Sequence, residues 1–491
     1  MLRKRMGHGL LLAVFLAVPA LTSPKDGQAY NWSTVIVDAA TPSTFASIGV
    51  DTAGNPMISY EDRFLDDALN FAICERAASS KGNCDQTGDW KTVKVEDPAE
   101  GEAGWQASMA LDANGNPVIA YWSTYYGSYS RIDFKFATCD RAASLNGNCD
   151  QVADWKTVII EQPGSDGYQT GIGVDGAGNP MISYSTGHPP MLKFATCSRS
   201  ASTHGNCDQT GDWKTVMVDP TTDCGGSSLA VTSGGDPMIA YGDQTHGALR
   251  FATCDLSASQ NRNCDQGSDW KIAVIDSAGG STGYEPSLAA DSNGDPMIVY
   301  FDWTSLKKKF ATCDRSASAH GNCDQTVDWR LGTVDQAVDQ GYNTSIAVDL
   351  NGDPMISFNS DDYRVKLAKC DRSASVNGDC DQPADWGTET VDYGRGFTSV
   401  TLDAEAHPLV AYSADSSDSL MFATSWLAPA VGGIAELPDV AGASAEHAGA
   451  PDGSAWRPGN HAALGGLLAA TLVALTAGAW YARRRWLRQR P

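Results

Sequence analysis

The chain has 491 residues, 42% of them hydrophobic, with thirteen cysteines and a formal net charge of −24 at pH 7. That length is ample for a buried core, and so acidic a surface is a poor match for nucleic acid or anionic lipid. No nucleic-acid partner is expected.

Met1–Gly9 carries Arg3, Lys4 and Arg5, and Leu10–Val18 is an apolar run followed by Pro19-Ala20. This predicts a signal peptide over 1–20, with cleavage as late as Ala29 also open, because the run is too short to cross a bilayer.

From Phe45 to Trp426 one unit recurs seven times. Its clearest copy is 287–335, SLAADSNGDPMIVYFDWTSLKKKFATCDRSASAHGNCDQTVDWRLGTVD. Equivalent turns are marked by Pro56, Pro117, Pro180, Pro237, Pro296, Pro354 and Pro408, spaced 54 to 63 residues apart. A period of this size means a solenoid, a propeller or an array. Within the unit, SLAAD, PMIVY, KKFATC and DWRLGTV have strand length and are bounded by turn signals, the first by D-x-x-G-D/N-P. Four such strands make one small antiparallel sheet, and several packed radially hide one another's faces.

The last copy lacks a W-K-T-V strand, and the missing strand stands at the other end: NWSTVIVD (Asn31–Asp38) matches DWKTVMVD (Asp212–Asp219). Pairing it with the last copy closes the ring and removes two open edges. The expected domain is an all-β, seven-bladed β-propeller over 31–427, with the N-terminal strand completing the last blade.

Twelve cysteines fall in six pairs ten positions apart: Cys74/Cys84, Cys139/Cys149, Cys197/Cys207, Cys254/Cys264, Cys313/Cys323 and Cys370/Cys380. Behind a signal peptide these predict six disulfides, each in the loop between third and fourth strands. Metal binding is the other reading, but two thiols do not complete a tetrahedral zinc site. The same loops share D-Q-x-x-D-W, which reads either as a Ca2+ ligand set or as a turn leading into a tryptophan packed between blades. No other cofactor is expected.

After Trp426, residues 428–461 are rich in Ala, Gly and Pro and predict a flexible stalk. Ala462–Tyr481 has no charged residue and is long enough to span a membrane, and five arginines follow within 482–491. The positive-inside rule puts that tail in the cytoplasm and the propeller outside, a single-pass cell-membrane protein. Leu437-Pro438-Asp439-Val440-Ala441 loosely resembles a sortase sorting signal but lacks its Thr-Gly.

The disulfide loops and first turns lie on one face of the disc and are nearly uniform. The second-to-third strand loops and the blade connections lie on the other and vary, which favours that face for binding a glycan or a protein. The second blade carries the loop WSTYYGSYSRID, with Trp122, Tyr125, Tyr126, Tyr129 and Arg131. Equivalent loops hold His188, His246 and Trp303. Phe45, Trp105, Tyr168, Tyr284, Tyr342 and Phe397 precede the innermost strands and are expected around the channel mouth, as ligand platforms or as packing between blades.

In its period and its D-x-x-G-x-P turns the repeat resembles the sialidase-like superfamily of propellers with short Asp-bearing turns. That resemblance implies a carboxylate clamp of three arginines and a Tyr–Glu pair if the protein is catalytic. Arg76, Arg141, Arg199, Arg315 and Arg372 sit in disulfide loops on the uniform face, leaving Arg63, Arg131, Arg364 and Arg395. No Tyr–Glu arrangement can be identified from the sequence. The primary reading is therefore a membrane-anchored binding module without catalysis. The alternative is an extracellular hydrolase or lyase built from residues such as His188, His246, Asp302 and Arg131.

Cys224 has no partner at the ten-residue spacing and lies in TTDCGGSS, where the fourth blade lacks the aromatic. It marks either a gap that admits ligand beside an available thiol, or a buried, inert thiol.

Overall fold

A computed structural model describes residues 30–62, 67–98, 101–126, 131–163, 167–187, 190–278, 280–335, 343–414 and 419–427. The expected signal peptide, stalk, membrane span and tail lie outside these residues. No helix among the described residues is long and apolar enough to cross a membrane.

The described chain is all-β apart from short 3-10 turns. Blade 5 shows the plan: Thr282–Ala290, Pro296–Asp302, Lys307–Cys313 and Trp329–Thr333 pair in that order, each antiparallel to the next. Pro296–Asp302 is buried along its whole length, because it lies second in the sheet with neighbouring blades over both faces. Its copies Pro56–Asp62, Pro180–Thr186, Pro237–Asp243 and Pro354–Ser360 are buried in the same way.

Two strands run on from one blade into the next, Trp386–Leu402 and Tyr30–Val50. Tyr30–Val50 pairs through its first part with Ser419–Leu427 and through its last part with Pro56–Asp62. The expected closure is therefore present, with Asn31 opposite Trp426 and Asp38 opposite Leu420. Each inner strand touches the inner strand of the next blade, and Tyr30–Val50 touches Trp386–Leu402, which completes the circle.

Seven hydrophobic clusters each draw on two adjacent blades. Repeated motif residues join them. The Trp of D-W meets the Phe of the preceding blade's third strand edge-on, as Trp155 does with Phe71 at 5.0 Å and Trp329 with Phe251 at 4.9 Å. This is the packing alternative for D-Q-x-x-D-W. The first aspartate of the motif is engaged by neighbouring donors: Asp324 faces His320 Nδ1 at 2.8 Å and accepts from Gln325.

All six expected disulfides are formed: Cys74–Cys84, Cys139–Cys149, Cys197–Cys207, Cys254–Cys264, Cys313–Cys323 and Cys370–Cys380, with Cα separations of 6.0 to 6.1 Å. Their placement corrects the expectation that both halves of each pair lie in the loop. Cys74, Cys139, Cys197, Cys254, Cys313 and Cys370 are the last residues of third strands. Only the second halves are loop residues, and they are not on its surface. Cys84, Cys149, Cys207, Cys264, Cys323 and Cys380 are all 0% exposed and belong to the clusters between blades.

These second half-cystines also take positive φ, from 54° at Cys264 to 61° at Cys207, a region that L-residues rarely adopt. The same Trp of D-W fixes each one by donating its indole N–H to the cysteine carbonyl. The distance is 3.1 Å for Trp90 to Cys84, 2.9 Å for Trp155 to Cys149, and 3.0 Å at Cys207, Cys264, Cys323 and Cys380. Disulfide and indole together tuck the loop under the blade edge. The six bridges are thus part of the core.

A second latch crosses six of the seven junctions on the other face, the sixth blade carrying Phe358 in the tyrosine's place. The tyrosine of P-M-I-x-Y donates to a carboxylate at the end of the preceding blade's outer strand, as Tyr184 does to Glu161 at 2.7 Å and Tyr300 to Asp276 at 2.7 Å. Lys193 and Lys309 bond to the same two carboxylates. Tyr–carboxylate pairs therefore exist where none could be identified from sequence, but they recur around the ring and hold blades together.

Candidate site at the channel mouth

The inner strands carry one serine each in most blades, and these hydroxyls tie the ring from inside. Ser47 Oγ accepts the Met109 N–H at 3.1 Å, and Ser228, Ser287, Ser345 and Ser399 accept from Leu288, Ile346, Val400 and Ile48 at 3.0 to 3.2 Å. Blade 3 has Gly171 instead. A Cβ there would fall 2.3 Å from the Leu229 nitrogen, so the two strands approach too closely for a side chain.

Just before this serine the strands bulge. The pairing slips between Thr44 and Ser47, between Trp105 and Ser108, and between Tyr284 and Ser287. Phe45, Gln106 and Glu285 take positive φ at 51°, 55° and 45°, and Asn343 takes 66°. A bulge adds a residue and re-aims side chains. Phe45, Gln106, Gln169, Glu285, Asn343 and Phe397 thus occupy one equivalent position and face a cavity of about 350 Å³ at the axis. Trp105, Tyr168, Tyr284 and Tyr342 stand one residue earlier in sequence.

The expected aromatic ring is corrected accordingly. Phe45, Phe397 and Tyr168 line the cavity, whereas Trp105 and Tyr284 do not. Trp105 packs against the core between blades 2 and 3, and Tyr284 meets Trp303 edge-on at 6.1 Å. Tyr342, Tyr129 and His188 lie outside the described residues.

Trp122 requires a second correction. Its strand, Pro117–Tyr125, runs two residues longer than its counterparts and carries the indole inward. Trp122 is 0% exposed, packed on Phe134 and Tyr184 and bonded through its N–H to the Tyr168 carbonyl. It is core, not a platform. Tyr125 and Tyr126, 42% and 54% exposed, stay on the surface. Arg131 lies 5.8 Å over the Tyr125 ring and pairs with Asp133 at 2.9 Å.

The mouth is polar and nearly uncharged. Phe45 and Phe397 meet at 4.1 Å on one side, while Gln106, Gln169 and Asn343 supply amides elsewhere. The Gln169 Oε1 is buried and has no hydrogen-bond partner among the described residues. Glu285 is the one carboxylate among the described lining residues, which include no Lys, Arg or His. Burial pushes its carboxyl above the usual range, although the Asn343 N–H, 2.6 Å from Oε2, pulls the other way.

The described residues of the catalytic alternative do not converge here. His246 faces Asp243 at 2.8 Å beside Arg250, outside the cavity lining. Asp302 is tied into its own turn by Thr304 and Ser305. Arg364 pairs with Asp362, and Arg63 lies outside the described residues.

Of the two readings of Cys224, the structure has the buried thiol and not the gap. Gln244 occupies the space beside Gly225, where a Cβ would come within 2.3 Å of its Nε2. Cys224 is fully buried, its thiol directed at the Gly226 carbonyl, and burial pushes its pKa up to about 12. Among the described residues, the one cluster with metal-ligand spacing is Asp403, Glu405 and His407, in a first turn and not in a disulfide loop. Asp403 there already takes the Arg76 guanidinium at 3.2 Å.

No known family's sequence pattern matches the chain, and no curated protein matches it. Solved structures do resemble it in fold. An ulvan lyase, described as a new polysaccharide lyase family PL25, is 12% identical and covers 82% of this chain and 95% of its own, with a TM-score of 0.48. AofleA from Arthrobotrys oligospora is 11% identical over 76% of this chain and 93% of its own, with a TM-score of 0.43. The NanB sialidase of Streptococcus pneumoniae, in a K499G mutant, is 12% identical over 80% and 70%, with a TM-score of 0.41. At such identities the chain's own residues must carry any statement of function.

Proposed function

We propose that the chain is an exported propeller, held at the cell membrane through 462–481, that binds a glycan at the channel mouth without transforming it. The observation that carries this reading is the composition of the mouth. A cavity of about 350 Å³ has the size of a small-ligand site, and its amides and hydroxyls offer donors and acceptors suited to sugar hydroxyls. Phe45, Phe397 and Tyr168 supply apolar faces beside them. Hydrolysis by paired carboxylates needs two such groups across the scissile bond, and Glu285 has no carboxylate partner among the described lining residues.

A protein ligand is the second reading, favoured by the exposed Tyr125 and Tyr126 with Arg131 alongside. A glycan array probed with the secreted propeller separates the two. Retention of defined glycans, abolished in Gln169→Ala and kept in Tyr126→Ala, supports the mouth. Silence across the array removes the glycan reading.

A further inference from the structure

On the uniform face, four of the blade junctions hold a guanidinium in the same way. The first turn of one blade presents an aspartate, and the disulfide loop of the next blade supplies an arginine. Arg141 Nη1 lies 2.6 Å from Asp51 Oδ2, Arg199 3.1 Å from Asp112, Arg372 3.1 Å from Asp291 and Arg76 3.2 Å from Asp403. A second acceptor lies six residues after the arginine: Arg141 and Arg372 also donate through Nε to the carbonyls of Gly147 and Gly378 at 2.8 Å.

At the junction of blades 3 and 4 the arginine is absent and its surroundings remain. Leu256 stands in its place, its backbone N–H still bound by Asp236 as Arg141 is bound by Asn116. Asp175 keeps the same turn bonds as Asp51, including Asn179 Nδ2 to Oδ2 at 2.8 Å, but has no cation partner among the described residues. The equivalent carbonyl belongs to Arg262, whose φ of 57° keeps the left-handed backbone of Gly147 and Gly378 at 81° and 79°. A cavity of about 420 Å³ opens between Asp175 and Leu256, with Asp212 also on its wall. The Asp212 Oδ2 is buried with no hydrogen-bond partner among the described residues, a feature shared with Asp89, Asp154, Asp269 and Asp328 of the other loops, so the missing arginine beside Asp175 is what sets this junction apart. Lys214 and Arg262 also line it, both exposed, where solvent screens their charge.

We propose that this cavity is a guanidinium socket. Its occupant is an external guanidinium, which takes the place that an internal arginine fills at four other junctions. The recognition chemistry is a fork of N–H donors meeting Asp175 Oδ2 and the carbonyl of residue 262, a pairing that an ammonium reproduces poorly. The source is either a partner protein's arginine or a small free guanidine compound.

Thermal melting of the disulfide-bonded propeller in methylguanidinium chloride tests this, with methylammonium chloride and sodium chloride at equal ionic strength as controls. The wild type should show a saturable rise of roughly 1–2 °C beyond both controls. Leu256→Arg, which restores the residue that works elsewhere in the ring, should melt higher than wild type and lose the response. Asp175→Asn keeps an oxygen for the turn bonds and should need at least fivefold more ligand. Agmatine and N-acetylargininamide then distinguish the sources: tighter binding of the amide identifies a polypeptide arginine, and tighter binding of agmatine a free compound. The proposal is overturned if the wild type shows no saturable response, or if Leu256→Arg responds equally.

Discussion

Arg76 of the first blade lies 3.2 Å from Asp403 of the last, an ion pair between residues from opposite ends of the propeller sequence. At the same junction the Ile48 N–H meets Ser399 Oγ, and Tyr60 donates to Asp38 at 2.7 Å. Closure thus uses the repeat's own contacts, extended across the chain ends.

A chain beginning at Phe45 should therefore fold into an open ring with lower stability. It loses burial of Val35 and Val37, and the bonds of Tyr30 and Trp32 to Glu389. The expected fall in melting temperature is about 5–10 °C. Equal melting of the two proteins would show that the strand contributes nothing to closure.

Arg141→Ala should destabilise by about 2–3 kcal/mol, because it leaves the Asp51 carboxylate shielded from solvent without its cation. The two side chains are 17% and 6% exposed, so solvent screens the pair little. Chemical denaturation measures this directly, and Lys81→Ala serves as an exposed control with an effect below about 1 kcal/mol.

Acid should weaken the fold. Burial alone would raise the carboxyls of Asp51, Asp219, Asp276 and Asp403, but hydrogen bonds and nearby cations outweigh it and hold all four below the usual range. A folded pKa below the unfolded value contributes stability that is complete above about pH 4 and lost as pH falls further. Glu285 has the opposite sign, since burial raises it and its ionised form costs stability at neutral pH. Glu285→Gln should raise the melting temperature at pH 7, and the gain should shrink as pH falls toward about 4.

Cys224 should resist thiol reagents in the folded protein and react once denaturant is added, since its thiol is buried and its pKa is pushed up to about 12. Labelling followed by peptide mapping checks this. Rapid modification under native conditions would contradict the packing of Gln244 over Gly225.

The repeat, its closure and its disulfides are legible because each leaves a periodic mark: a proline, a W-K-T-V strand, a pair of cysteines ten apart. The spacing does not reveal that Cys313 ends a strand while Cys323 turns back into the core, since that depends on φ at one residue and on Trp329 above it. The mouth is less legible still. The bulge that sets Phe45 beside Gln106 and Glu285 is a backbone event with no fixed residue type, so aligning aromatics with aromatics gives the wrong register. Trp122 is misplaced by the same reasoning, because WSTYY carries no turn residue to show that the strand runs through it. The serine ring escapes notice since one small residue per strand resembles ordinary alternation, and the missing Arg at Leu256 gains meaning only once Asp175 is beside it.

On the proposed function, ligand is held at the channel mouth. The most direct test is calorimetric titration of the secreted propeller with the strongest glycan from the array, comparing wild type with a Gln106→Ala/Gln169→Ala variant of unchanged melting temperature. The variant should lose at least tenfold in affinity. Unchanged affinity would place the ligand elsewhere and contradict that proposal.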